Sequence, residues 1–193
     1  MSSVRTIPGS GGSVGAASAS LRHAWMAAPL PAVVVPGAVG PALAAAVRAQ
    51  AERAGYTRFS LLDRASYQQA AALDEPALVE ALTGVAAEMT GRSLVPASAR
   101  VLRFGPGDYS LVRHDRVHDD RPVELVLDLS PDAVPGAEVH YRHRGQVFFT
   151  FACTPGALAI VERGPTVMCN HTYVSKRHVT AAVVRLVLLL REP

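Results

Sequence analysis

Six of the seven histidines fall between Arg103 and Glu192: His114, His118, His140, His143, His171 and His178. Two of them stand in a polar run, His114-Asp115-Arg116-Val117-His118-Asp119-Asp120-Arg121. Imidazole nitrogens and carboxylate oxygens can act as acid–base groups or as metal ligands. Arg185 interrupts an apolar run, AVVRLVLLL. A guanidinium in such a place must find a partner or reach water. If the chain does chemistry, it does it in this stretch from Arg103 to Glu192. Each candidate residue also has a plainer reading. His118, His140 and His143 can be solvated, His171 can be a satisfied core histidine, and residues 116 and 119–121 can be a solvated ion cluster. Arg185 can sit on an edge strand and pair with Glu124 or Asp128.

Other chemistries lack their motifs. GSGGSVG has no strand before it and no Lys-Ser/Thr after it, so it is not a phosphate loop. No G-x-S-x-G elbow occurs. HDRVH shares with HExxH only the spacing of its histidines. Cys153 and Cys169 lack CxxC spacing and lie in apolar runs, where cysteine behaves as a small buried hydrophobe.

The totals bound the rest. A chain of 193 residues that is 49% hydrophobic can bury a full core as one domain. The net charge of +3 is spread along the chain without blocks, which argues against nucleic acid as a partner. No run reaches the roughly 18 apolar residues of a membrane span. Glycine and serine follow Arg5 where a secretory signal would need an apolar stretch. A cytoplasmic location is the expectation, with no membrane partner and with a homodimer left open.

Two helices and a β core must position the candidate residues. Residues 1–20 are small and flexible and read as a disordered tail. The domain then spans 21–193, and Trp25 can pin its start. Ala32–Val35 reads as an edge strand. A helix starts at Pro41 and stops at Gly55, with Leu43, Val47 and Ala51 on one face. Tyr56–Leu62 reads as a strand, and Asp63–Leu73 gives no clear signal. Asp74 caps a second helix ending at Gly91, striped by Leu78, Leu82, Val85 and Met89. The helices thus occupy about 41–92 and the β core about 99–192. From Ala99 the period becomes two. ARVLRF, YSLVRH, VELVLDL, AEVHYR, QVFFTFA, ALAIVE, TVMCNHTYV and AVVRLVLLL alternate with Gly and Pro turns. Strands at about ten-residue spacing without intervening helices imply an α+β fold, with helices packed on a jelly roll or barrel.

Taken together, the helices, the turn F-x-P-G-D-Y (Phe104 to Tyr109), His114, L-D-L-S (Leu127 to Ser130), P-G-A-E, P-G-A-L, His171 and Arg185 resemble the Fe(II)/2-oxoglutarate-dependent oxygenases of the prolyl-hydroxylase type. The resemblance covers roughly Pro31–Glu192. It implies a double-stranded β-helix, cupin-like in architecture, with Fe(II) and 2-oxoglutarate as cofactors and O2 as co-substrate. In that family two histidines and one carboxylate hold the iron, leaving three open positions. A basic residue on the last strand clamps the far carboxylate of 2-oxoglutarate, a task that suits arginine.

Carried over residue by residue, the resemblance makes His114 the first metal ligand. The third residue of its triplet is Arg116, where the family has Asp. Asp115 would point to the other face of an extended strand. The one literal His-x-Asp is His118-Asp119-Asp120. The carboxylate is therefore Asp120 or Asp115, or it is absent, as in halogenating members. The distal histidine is His171, on a strand, with His178 as the alternate, and His118 of the literal His-x-Asp is an alternate metal ligand. Arg185 falls at the co-substrate anchor. Arg116 is placed to meet a substrate carboxylate.

The resemblance thus implies an oxygenase that breaks a C–H bond of a small, amino-acid-like or carboxylate-bearing molecule, by hydroxylation or a related outcome. A second reading is a non-catalytic β-helix domain that binds a small ligand or partner. A third is a cupin-like metalloenzyme without 2-oxoglutarate, using several of His114, His118, His171 and His178.

Overall fold

The computed structural model describes residues 13–70, 75–112, 120 and 122–193. Among them are three helices, α1 (Ser13–Ala27), α2 (Pro41–Ala54) and α3 (Pro76–Thr90). Eleven strands follow or intervene: β1 (Ala32–Val35), β2 (Thr57–Leu61), β3 (Ala65–Ala70), β4 (Val95–Phe104), β5 (Tyr109–Ser110), β6 (Val123–Asp128), β7 (Glu138–His143), β8 (Gln146–Ala152), β9 (Leu158–Glu162), β10 (Val167–His171) and β11 (Val183–Arg191). No helix among the described residues is long and apolar enough to cross a membrane.

All pairings are antiparallel, in the order β1-β9-β6-β11-β4-β3-β5-β10-β7-β8, with β2 beside β3. Strand β3 turns the corner between two sheets. Its C-terminal half pairs with β4 through Gln68–Arg103 and its start pairs with β5 through Ala65–Ser110. This is the α+β double-stranded β-helix that the strand count and turn spacing imply.

Period two assigns the two faces of the larger sheet. On β11, Val184, Leu186, Leu188 and Leu190 join one core with Leu125, Leu127, Leu158 and Ile160. Trp25, Val47, Leu82 and Met89 of the helices cover that face. Val183 and Val187 join the other core, where Val126, Ala159 and Val161 meet Val139, Tyr141, Phe151 and Val167 of the smaller sheet. Side chains 124, 128 and 185 share this inner parity, so Glu124, Asp128 and Arg185 point between the sheets. All are buried.

Four sequence expectations change. Helix α1 starts at Ser13, inside the stretch 1–20 read as a tail. Its alanine-rich sequence favours helix, and packing against α3 and burial of Trp25 provide the tertiary support it lacks alone. On α2 the buried face is Ala44, Val47 and Ala51, while Leu43 is 43% exposed. On α3, Leu78, Leu82, Ala86 and Met89 are buried and Val85 turns outward. The unassigned stretch after Asp63 contains β3. Its alternation of Ala65, Tyr67 and Gln69 is short, and long-range pairing with β4 and β5 decides its state.

Turns are set by glycine where the backbone demands it. Gly156 has φ +80°, and a Cβ there would lie 2.5 Å from the Val39 carbonyl oxygen. Its N–H donates to the Asp128 carbonyl and its own carbonyl accepts from Val39, so the β8–β9 turn anchors both β6 and the segment before α2.

Candidate active site

His171 ends β10 and pairs across the ladder with Ser110 of β5. It shares inner parity with Val167 and Cys169 and is 6% exposed. Its ring stacks on Phe104, the last residue of β4, with centroids 4.7 Å apart and planes at 20°. The turn after Phe104 holds the backbone beyond His171. Gly107 N–H donates to the Val174 carbonyl at 2.8 Å, and Val174 N–H donates to the Asp108 carbonyl at 2.9 Å. Asp108 fixes that turn in its place. Its carboxylate accepts from Gly105 N–H, from Ser66 Oγ and from both terminal nitrogens of Arg58. The F-x-P-G-D-Y residues thus form the bracket that sets the position of His171.

Arg185 reaches His171 from the opposite sheet. Its Nη1 donates to His171 Nδ1 at 2.8 Å and its Nη2 donates to the Ala137 carbonyl at 2.8 Å. The guanidinium carbon lies 5.9 Å from the centre of the Phe104 ring. The side chain is 1% exposed, and its Nε–H has no hydrogen-bond partner. Strand β11 is central, flanked by β4 and β6, so the edge-strand reading of Arg185 is corrected. Pairing with Glu124 or Asp128 is also corrected. Glu124 is taken by Arg163 and by the Tyr141 hydroxyl at 2.7 Å. Asp128 accepts from Ser130 N–H and Thr154 N–H. Burial pushes the Arg185 guanidinium below its ordinary range, and nearby Asp128 opposes the shift.

The barrel interior therefore has two polar layers of opposite character. In one, Arg163 Nη1 and the Tyr141 hydroxyl both donate to the Glu124 carboxylate. In the other, a buried guanidinium faces a neutral acceptor and a carbonyl, and no carboxylate forms an ion pair with it among the described residues. A cation buried in this way has an unmet demand for an anion.

The remaining candidates scatter. His178 lies in the β10–β11 loop, where residues 131–135 and 177–182 line an open pocket of about 330 Å³. His140 is on the outer side of β7, 2.7 Å from Glu138, and His143 contacts Thr166. Asp120 is exposed in a turn. His114, Asp115, Arg116, His118, Asp119 and Arg121 lie outside the described residues, as does Asp74. Among the described residues no three His, Cys, Asp or Glu side chains group around a metal position. Sequence reasoning did not single out Ala137, whose carbonyl holds Arg185. Its signal was the P-G-A turn before β7.

The described residues fit the implied groups unequally. The Arg185 fork, buried and without a carboxylate, fits the far carboxylate of 2-oxoglutarate. His171 fits a metal with one of its ring nitrogens, on condition that its contact with Arg185 is released.

Comparison with known proteins agrees at the level of the fold. No protein-family model matches the chain, and no curated protein matches it in sequence. Solved structures do match. A prolyl-4-hydroxylase from Pseudomonas putida superposes with a TM-score of 0.68 at 14% identity, over 90% of this chain and 99% of that one. An oxidoreductase of the 2OG-Fe(II) oxygenase family from Burkholderia pseudomallei gives 0.70 at 12% identity, over 99% and 96%. The non-haem α-ketoglutarate-dependent epimerase SnoN from nogalamycin biosynthesis gives 0.68 at 12% identity, over 92% and 84%. The chain shares its fold with the 2-oxoglutarate/Fe(II) oxygenases of the prolyl-hydroxylase type.

Proposed function

We propose that this chain is a non-haem Fe(II)/2-oxoglutarate-type oxygenase that acts on a small, carboxylate-bearing molecule. The observation that carries the reading is Arg185: a fully buried guanidinium, without a carboxylate partner, inside a double-stranded β-helix and in contact with the histidine that ends β10. Arg185 would bind the far carboxylate of 2-oxoglutarate. His171 and His114 hold the metal, and Asp120 or Asp115 completes the set. Iron with bound 2-oxoglutarate would supply the oxidising power that O2 chemistry needs to break a C–H bond. The apolar walls, Phe104, Val183 and Val187 among them, keep water from the Arg185 fork, which strengthens its hold on an anion. Arg116, at the position of the family's acid, meets a carboxylate of the substrate. The structural relatives include a hydroxylase and an epimerase by name, so the fold alone does not select the outcome at the C–H bond.

Anaerobic titration with Fe(II) and 2-oxoglutarate tests this. A saturable visible charge-transfer band is expected, because the chelate forms when both groups share one site. Binding of 2-oxoglutarate with no band and no retained iron would replace the reading with a carboxylate-binding domain.

A further inference from the structure

We propose that β8 is a pairing edge and that its occupant is a second copy of this chain, seated antiparallel about a two-fold axis at Thr150. The inference does not depend on the functional reading above.

The two ends of the sheet are protected unequally. Strand β1 closes one end with four residues fenced by Pro31 and Pro36. Strand β8 closes the other with seven, Gln146–Ala152, and pairs only with β7 among the described residues. Its sequence, QVFFTFA, contains no charge and no proline. Charges and prolines are what keep an edge from taking up another strand, and β-branched and aromatic residues favour one. The one irregularity is the register shift opposite Tyr141 and Arg142, which leaves Phe149–Ala152 as a regular ladder. Val147 is 41% exposed, and Thr150 is exposed as well.

The strand complements itself. About an axis at Thr150, Phe149 of each copy stands opposite the partner's Phe151, and Thr150 stands opposite the partner's Thr150. Aromatic pairs and Thr–Thr pairs are favourable across strands. Phe149 and Phe151 pair with Tyr141 and Val139 on the apolar side of the smaller sheet, so the second copy continues that side and covers the partly buried Phe149. Charge sets the direction. The β7–β8 turn carries Arg142, His143 and Arg144. The other end of β8 lies beside Glu138, which pairs with Ala152, and beside exposed Asp132, whose carbonyl oxygen is 3.6 Å from Cys153 Sγ. Antiparallel copies bring the basic end to the acidic end twice, whereas parallel copies would set like charges together. A two-fold axis also closes the assembly at two chains.

Sedimentation equilibrium of the full chain, from micromolar to submillimolar concentration, tests the edge. A reversible monomer–dimer equilibrium is expected. Thr150→Lys sets two ammonium groups against each other at the axis and should weaken association about tenfold or more. Val179→Lys, at a 78% exposed position in the β10–β11 loop, should leave it unchanged. Arg144→Glu and Asp132→Arg should each weaken the dimer, and the two together should restore it. A chain that stays monomeric throughout would overturn the proposal. So would a dimer that Thr150→Lys leaves intact, because its interface would lie elsewhere. Failure of the double charge exchange to recover association would overturn the antiparallel seating. If Thr150→Lys does not fold, amide exchange of the wild type decides: the amides of Phe149–Ala152 should exchange more slowly as concentration rises, and rates independent of concentration would overturn the pairing.

Discussion

Arg185 and Asp128 stand opposite each other across the β11–β6 ladder and do not form an ion pair. Both side chains are on the inner face and both are fully buried. Asp128 turns its two oxygens to backbone donors instead, Ser130 N–H at 2.8 Å and Thr154 N–H at 2.7 Å. It fixes the ends of two turns and leaves Arg185 attracted through space but unneutralised by contact. Both oxygens of Asp128 are thus taken by backbone amides, and the arginine across the ladder keeps one N–H without a hydrogen-bond partner.

Two substitutions separate this arginine from the one that is paired. Arg163→Met leaves Glu124 buried with its charge unmatched, and should cost about 3–5 kcal/mol. Arg185→Met removes a buried cation that lacks a carboxylate. It gives up the bonds to His171 and the Ala137 carbonyl, worth about 1–3 kcal/mol together, but it removes a larger desolvation penalty. The ligand-free protein should therefore be as stable as wild type or up to about 3 kcal/mol more stable. Urea unfolding of both variants is the measurement. A loss of more than about 2 kcal/mol for Arg185→Met would show that its neutral contacts outweigh the buried charge.

The bracket under His171 gives the next prediction. Asp108 side-chain exposure is 5%, whereas Arg58 is half exposed. Asp108→Ala removes the acceptor for Gly105 N–H, Ser66 and Arg58 at once, and should cost about 2–4 kcal/mol. Arg58→Ala removes a screened partner and leaves the other donors in place, so about 0.5–1 kcal/mol is expected. Thermal unfolding of the two variants should show this asymmetry. Similar losses would mean that Arg58 alone orders the turn.

The distal ligand can be assigned by comparing two histidines. His171 is buried and held by the Phe104 ring, so its nitrogens are fixed in direction. His178 is half-buried in a loop beside the 131–135 segment. His171→Gln should abolish the Fe(II)/2-oxoglutarate band, and His178→Gln should retain it with at most a few-fold weaker 2-oxoglutarate affinity. The reverse pattern would move the metal toward the β10–β11 loop.

The sequence made the β core readable because its strands are alternating or continuous apolar runs between firm turn signals. VELVLDL and AVVRLVLLL announce strands buried on both faces, and both are central. It did not announce β3, whose six residues mix Ala, Ser, Tyr and Gln and owe their state to partners far along the chain. Nor did it announce α1, whose helix needs Trp25 docked to persist. For the site, an arginine inside an apolar run was a legible anomaly. That it contacts His171 was not, because the contact joins two sheets through parity on β10 and β11, and parity is visible only once the sheets are folded together. The occupation of Asp128 by turn amides was hidden for the same reason.

The closed polar layer predicts how the protein responds to alkali. Tyr141 is fully buried, and its hydroxyl donates to Glu124 Oε1 at 2.7 Å. Burial, and then the charge of Glu124, push its pKa well above the ordinary value. In the unfolded chain the phenol ionises near its usual pKa of about 10. Below that pH both states keep the proton, and the contribution to stability is complete. Above it the unfolded state loses the proton while the folded state retains it, so stability falls as pH rises. Each pH unit in that window should remove about 1.4 kcal/mol through this one group. Tyr141→Phe should remove this group's share of the slope and leave the shares of Tyr56, Tyr67 and Cys153, whose pKa values burial also raises. It should also cost about 1–2 kcal/mol at neutral pH, because Glu124 loses one of its buried donors. Urea midpoints measured from pH 8 to 11 for both proteins decide the matter. If Tyr141→Phe loses stability with alkali as steeply as wild type, the sensitivity belongs to other groups, and the Glu124–Arg163–Tyr141 layer is not what alkali opens.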